Sequence, residues 1–546
     1  MRIIVAAVAL AFMSCVASSA PDKSVLRAQE GAAALLRGKY EQAISLYDEA
    51  TLEQNVPPSR LASIMNDRGV AKWRLERLED ALADFNKAAE LYPSYASIYN
   101  NRGNVYLDLE KPAQALEDFN KAITLSPGYG AAYNNRGNAN QELGKNAAAA
   151  EDYKKATEIM PGNAVPYNGR GKAQGALGRP YAALRYLSRA LTLSGKYPAA
   201  YRNRADIHLH LERNADAIAD LDRVISLSPD DPDLYLQRGR AWAREGKTQT
   251  ALKDFSKSIE LDPENARALA ERGALNNVRR QYDQAIEDLN QALTIDKELP
   301  EAYYNRARAY FATGAIAPAR EDLEKALAID ARYGDAYVLR GEVTESEGQA
   351  DAALISYRKA LELDPFLNDA KQAIKRLTGS YEESAIPKVG EQVAGWDIIS
   401  PAPGRYVTVN AKFPKIKIAL EMYGSSAPTI REWTLLDKTL GGIGLLRYDA
   451  GTVDGKVNEF VVIIDITRNQ VVSIEPYING EAKARWDWTE YAVTVTDTEG
   501  FVSANELRKP KPVQPRYVED SPWGSWGEPQ RGSRRPQKNV FDWLFR

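Results

Sequence analysis

The 546-residue sequence predicts an α-solenoid of about ten stacked helix pairs, followed by a small antiparallel β domain and a disordered tail. Three observations carry that prediction. From residue 62 to residue 367 the chain repeats every 34 residues without an insertion, each unit marked by an Arg and a following small residue: Arg68/Gly69, Arg102/Gly103, Arg136/Gly137 and onward to Arg340/Gly341. Within a unit, small and bulky positions such as Ala81, Phe85 and Ala88 are spaced by four and three, which puts them on one helix face. Beyond Thr378 this period stops and short runs of alternating β-branched residues begin.

Residues 1–20 read as a secretory signal, with Arg2, an apolar run from Ile3 to Met13, and Ser18-Ser19-Ala20 as a small-residue cleavage site. The mature chain then starts at Pro21, outside the cytosol. Cys15, the single cysteine, opens a second reading as a bacterial lipidation site and membrane anchor, although Phe12-Met13-Ser14 matches the required motif well only at the Ser. Ordinary cleavage leaves no cysteine, so an exported chain depends on its packed core instead of disulfides. The sequence has no Asn-x-Ser/Thr acceptor, which suits a bacterial envelope better than a eukaryotic secretory route.

A first unit fits residues 24–57, through Gly31, Gly38, Ala43, Tyr47 and Ala50, and nine contiguous units fill 62–367. Small residues at fixed places let two backbones approach closely, and aromatics such as Tyr99 and Tyr133 fill the neighbouring unit's gap. Pro93, Pro127, Pro161, Pro229, Pro263 and Pro365 close their units, since proline cannot continue the preceding helix. One helix pair cannot bury such a face alone, so the units stack. In repeat length, small residues, aromatics and closing proline the pattern resembles the tetratricopeptide repeat family. The resemblance implies a right-handed superhelix whose first helices line a concave groove. The Arg departs from the family pattern, where Leu is usual. Sixteen residues after it an Asp recurs, at Asp84, Asp118, Asp152, Asp220, Asp254, Asp288 and Asp322, and where Glu30 replaces the Arg, Leu46 replaces the Asp. The expectation is an internal pair tying the first helix to the second, setting register more than stability. Residues 368–390 supply a polar capping helix, from Asp369 to Leu377, and a linker.

From residue 391 to 508 the runs at 405–410, 416–420, 459–464, 471–474 and 492–496, with turn signals at Asp454-Gly455, Asn479-Gly480 and Glu499-Gly500, predict a sandwich or curved sheet. Seven of the nine Trp lie from Trp396 onward; Trp486 and Trp488 share a strand face and are either core or a stacking platform for glycan. Residues 509–546 are Pro- and Arg-rich and read as disordered. Their end gathers Val540, Phe541, Trp543, Leu544 and Phe545, which reads as a docking motif or as a segment folded back over the β domain.

A formal charge of −3 gives no drive toward nucleic acid or an anionic membrane. His208 and His210 are two apart on a predicted helix and so face different sides, not the spacing of a metal pair. No phosphate-cradling loop, nucleophile elbow or paired acid and base is present, so neither catalysis, a metal nor a cofactor is expected. On the concave face that the resemblance implies, the fifth, sixth and ninth places of the unit hold Asn66, Asn100, Asn101, Asn104, Asn134, Asn135, Asn138, Asn168, Asn203 and Asn305. An amide donates and accepts at once, so this ladder suits an extended peptide's backbone. The family's clamp for a terminal carboxylate is not expected, because Asn100 and Asn134 stand where it needs Lys. Towards the C-terminal end the face becomes charged, with Arg202, Asp206, Arg240, Arg244, Arg308 and Glu342. The function expected is a non-catalytic, periplasmic scaffold that binds envelope proteins; the alternative is a cell-wall glycan binder using the β domain.

Overall fold

The computed structural model describes residues 23–506 except 54–55, 365–366, 381–387, 403–404, 411, 414–416, 421–426, 437–442, 454–455, 467–469, 479–480, 483, 490–491 and 498–501. Residues 1–20, read as a signal and including Cys15, and the tail with Val540, Phe541, Trp543, Leu544 and Phe545, lie outside the described residues, as do the side chains of Trp486 and Trp488.

The described residues between 23 and 378 form 21 helices, and the unit from residue 96 shows why. Its first helix, Ala96–Asp108, ends in a turn where Glu110 takes φ 57°, and Pro112 then starts the second helix, Pro112–Leu125, where its missing N–H costs nothing. The same turn position holds a glycine at Gly144, Gly178 and Gly246, the residue for which positive φ is free of strain. Gly103 is fixed by contact: a Cβ there would stand 2.6 Å from Cε1 of Phe119. That ring is fully buried, a contribution of about 2–3 kcal/mol. Between units, Phe85 and Ala88 pack with Ile98 and Val105 of the next, so each core is half supplied by its neighbour. Asn163, Asp231 and Asn265 cap the following first helices through their side-chain oxygens.

The first helices Pro58–Arg74, Ala96–Asp108, Gly130–Glu142, Ala164–Ala176 and Pro198–His210 touch one another in succession, more closely than the second helices do. They therefore line the inner side of the array. The closing helix Asn368–Thr378 buries Ala370, Ala373 and Ile374 against the last pair and ends at Gly379, φ 77°.

The β region is antiparallel, as the sequence implied, and its described residues form three sheets. The first joins β1 (Lys388–Val393), β2 (Trp396–Ala402), β3 (Arg405–Asn410) and β4 (Lys417–Ala419) in that order. The second joins β5 (Thr429–Leu436), β6 (Ile443–Val453), β7 (Lys456–Asp465), β8 (Gln470–Ile478) and β9 (Glu481–Ala482). A third holds β10 (Ala484–Thr489), β11 (Ala492–Asp497) and β12 (Val502–Glu506). The first two share one core: Trp396 and Ile398 pack with Ile430, Leu446, Tyr448 and Val462. Tyr448 faces Phe460 across the β6/β7 ladder, with ring centroids 5.5 Å apart. Trp396 is fully buried beside Trp433 and Phe413, so this tryptophan is core. The β region meets the solenoid where Arg213 Nη2 donates to the Val471 carbonyl at 3.2 Å.

Candidate protein-binding face

The repeated Arg is used inside the fold, as its spacing from Asp implied. Arg68, Arg102, Arg204, Arg238, Arg272 and Arg306 each donate from Nε and Nη2 to both oxygens of the Asp sixteen residues on, at 2.6–3.0 Å. Arg136 makes the same pair with Asp152. A third bond was not foreseen. Nη1 of Arg102, Arg136 and Arg306 reaches back sixteen residues to Asn86, Asn120 and Asn290, and Nη1 of Arg238 to Asp222. One guanidinium thus ties three helices, two of its own unit and one of the unit before. At Arg102 the Asp118 partner raises the guanidinium pKa further, so the cation is permanent. Burial pushes the Asp118 carboxyl up and Arg102 pulls it back, burial being the larger effect. Position 186 carries Tyr where the Asp belongs, and the Arg170 guanidinium lies 4.1 Å from that ring's centroid.

The asparagines divide into two groups. Asn66, Asn100 and Asn134 are each less than a tenth exposed and turn into the unit contacts, which corrects their place among exposed ligand contacts. Asn101 donates to Asn66 Oδ1 at 3.0 Å, Asn135 to Asn100 at 3.0 Å, and Asn203 to Asn168 at 2.9 Å. Each bond joins consecutive first helices, so the amides hold the inner face together. Asn101, Asn104, Asn135, Asn168, Asn203 and Asn305 are partly exposed, and Asn138 is exposed. Asn138 accepts from the Tyr153 hydroxyl at 2.7 Å, and Asn305 donates to its own helix at Glu301 O. Asp67 stands in the ladder place that Asn101 holds one unit later, and burial lifts its carboxyl to about 6.

Further along, ion pairs replace amides on the same face. Arg240 Nε lies 2.7 Å from Glu271, and Arg202 pairs with Asp231. Between the units that start at residues 266 and 300 the face opens into a pocket of about 530 Å³, absent from the sequence reading. Ala270 and Ala274 line it at the fifth and ninth places, where every other of the contiguous units carries a larger residue, from Val70 and Leu236 to Arg202, Arg240 and Tyr304. Two Ala in a column of larger residues is the signal by which the sequence could have revealed it. Past the pocket the carboxylates crowd: burial, with Asp364 and Asp369, holds Asp335 above the usual carboxylate range, and burial with Asp369 does the same for Glu342.

His208 is largely buried in Pro198–His210, its Nε2 3.9 Å from Asp220. Burial first, then Arg204 and Arg213, lowers its pKa to about 3, so the ring is neutral at pH 7. Among the described residues no group of three or more His, Cys, Asp or Glu is placed to hold a metal, and no helix is long and apolar enough to cross a membrane.

Stacked helix pairs with a polar inner face define a repeat scaffold of the kind that binds other proteins. Family comparison makes the class specific. Models of the tetratricopeptide repeat match residues 74–110, 96–129, 130–163, 168–232, 206–276, 279–314, 300–333 and 334–366, together more than half of the sequence, and the chain belongs to that family. Among solved structures it is similar to a tetratricopeptide repeat protein from Parabacteroides merdae, at 21% identity over 44% of this chain and 93% of that one, TM-score 0.37. It is also similar to yeast Tom70, at 16% identity over 65% and 95%, TM-score 0.34, and to YrrB, described as a repeat protein with an unusual peptide-binding site, at 24% over 34% and 95%, TM-score 0.30. Among curated proteins there is no match.

Proposed function

We propose that this protein is a non-catalytic adaptor of the bacterial cell envelope, exported through its N-terminal signal, that holds an extended segment of a partner protein in the concave groove. One observation carries the reading. The recurring demands of the fold are met by the Arg clamps and the buried amides, while Asn104 and the exposed Asn138 stand on the inner face with partly exposed amides beside them. An extended backbone presents both donors and acceptors, which partly exposed amides match without a sequence requirement. The repeat fold itself, whose first helices offer a long polar inner face, supports binding as the chemistry of this chain.

The test is co-purification of the full chain from its native host, comparing wild type with Asn104→Ala/Asn138→Ala. Loss of a discrete partner with unchanged thermal unfolding supports the groove; retention of the same partner overturns it. The mass of the mature N-terminus tests export: a chain starting at Pro21, or a lipidated Cys15, supports it, and an intact Met1 contradicts it.

A further inference from the structure

Resting on the groove reading, we infer that the pocket between the units starting at residues 266 and 300 receives a basic side chain, Lys or Arg, of the bound polypeptide. The pocket exists because Ala270 and Ala274 truncate its lining, with the nearly buried Leu299 beside them as further apolar lining. Such a lining suits the methylene stem of a long cationic side chain, which buries its carbons and keeps its head polar. The walls decide the sign of the head group. Arg240 is already occupied by Glu271 at 2.7 Å, which leaves Arg267 as the other cation of the lining against two further carboxylates, Glu298 and Glu301. On the C-terminal side the groove continues into Asp335 and Glu342, with Arg308 as the cation between them. The carboxylates there outnumber the cations, and a basic group entering from solvent relieves repulsion that an acidic group would increase.

The experiment uses the full-length protein on an array of twelve-residue peptides in a Gly/Ser/Gln/Leu background, each with one fixed central residue: Arg, Lys, Glu or Leu. Wild type is expected to retain Arg and Lys peptides about fivefold over Glu and Leu peptides, the effect of one partly exposed ion pair. Ala270→Leu fills the pocket, and leucine is compatible with this place because Leu236 holds it one unit earlier. That variant, and separately Glu301→Gln, should bring the four peptides to parity while overall retention persists. Retention without a basic preference, or a preference that survives both variants, overturns the pocket inference and leaves the groove reading standing. No retention of any peptide by wild type overturns both.

Discussion

Arg102 donates from Nε and Nη2 to the two carboxylate oxygens of Asp118, at 2.8 and 2.6 Å, and from Nη1 to Asn86 of the preceding unit at 2.8 Å. Because the pair is partly buried, removing one member leaves the other charged and poorly solvated. Asp118→Leu and Arg102→Leu are each expected to cost about 3 kcal/mol, and the double variant clearly less than their sum. Urea unfolding, with hydrogen exchange of helix Pro112–Leu125 as a local readout, checks this; additive losses contradict a coupled clamp.

Gly103 meets the Phe119 ring with no room for a methyl group. Gly103→Ala should destabilise the array by about 1–3 kcal/mol, the usual cost of overpacking. The same melt on Gly128→Ala, where a Cβ meets nothing within 4 Å, should show a change well below that.

Glu110 sits in the left-handed region that Gly144 occupies one unit later. Glu110→Gly is therefore expected to stabilise the protein by about 1 kcal/mol, the left-handed strain it releases minus glycine's added chain entropy. A lower midpoint in urea contradicts this.

His208 binds a proton in the folded chain only near pH 3, while its unfolded value is the ordinary 6.5. Between those values the unfolded state holds more protons, so this residue's effect is to make stability fall as pH falls from 6.5 towards 3, and none of the loss is present above about 7. The slope approaches about 1.4 kcal/mol per pH unit at its steepest. His208→Gln should remove that component, read as the difference between the two proteins' unfolding free energies at pH 7 and pH 5. Equal pH profiles contradict a buried neutral imidazole.

The repeat and the Arg–Asp pair were legible in the sequence because both obey one period: Gly69 recurs as Gly103, and Arg68 to Asp84 recurs as Arg102 to Asp118. The third bond of each clamp was not, because its acceptor varies among Asn86, Ser188, Asp222 and Ser256. The burial of Asn66, Asn100 and Asn134 escaped notice for a related reason. Asn66 and Asn100 accept from Asn101 and Asn135, 35 residues on and one step out of phase with the repeat, so a unit-by-unit reading places both members on the same exposed face; Asn134 donates instead to its neighbour Asn135. In the β region β7 announces itself by its apolar run, Phe460 to Ile464. Its neighbour β6 is longer but carries Gly444, Asp449 and Gly451, which disguise a strand whose Leu446, Tyr448 and Ala450 form much of the core.

The measurement that bears most directly on the function is site-by-site photo-crosslinking of the full chain in its native host. The crosslinker is placed in turn at Asn104, Asn138 and Arg240 on the first helices and at Lys121 and Lys257 on the second. If the groove is the working surface, the first-helix sites capture one discrete partner and the second-helix sites do not. Capture of that partner from Lys121 or Lys257 alone places the working surface on the outer face and contradicts the groove.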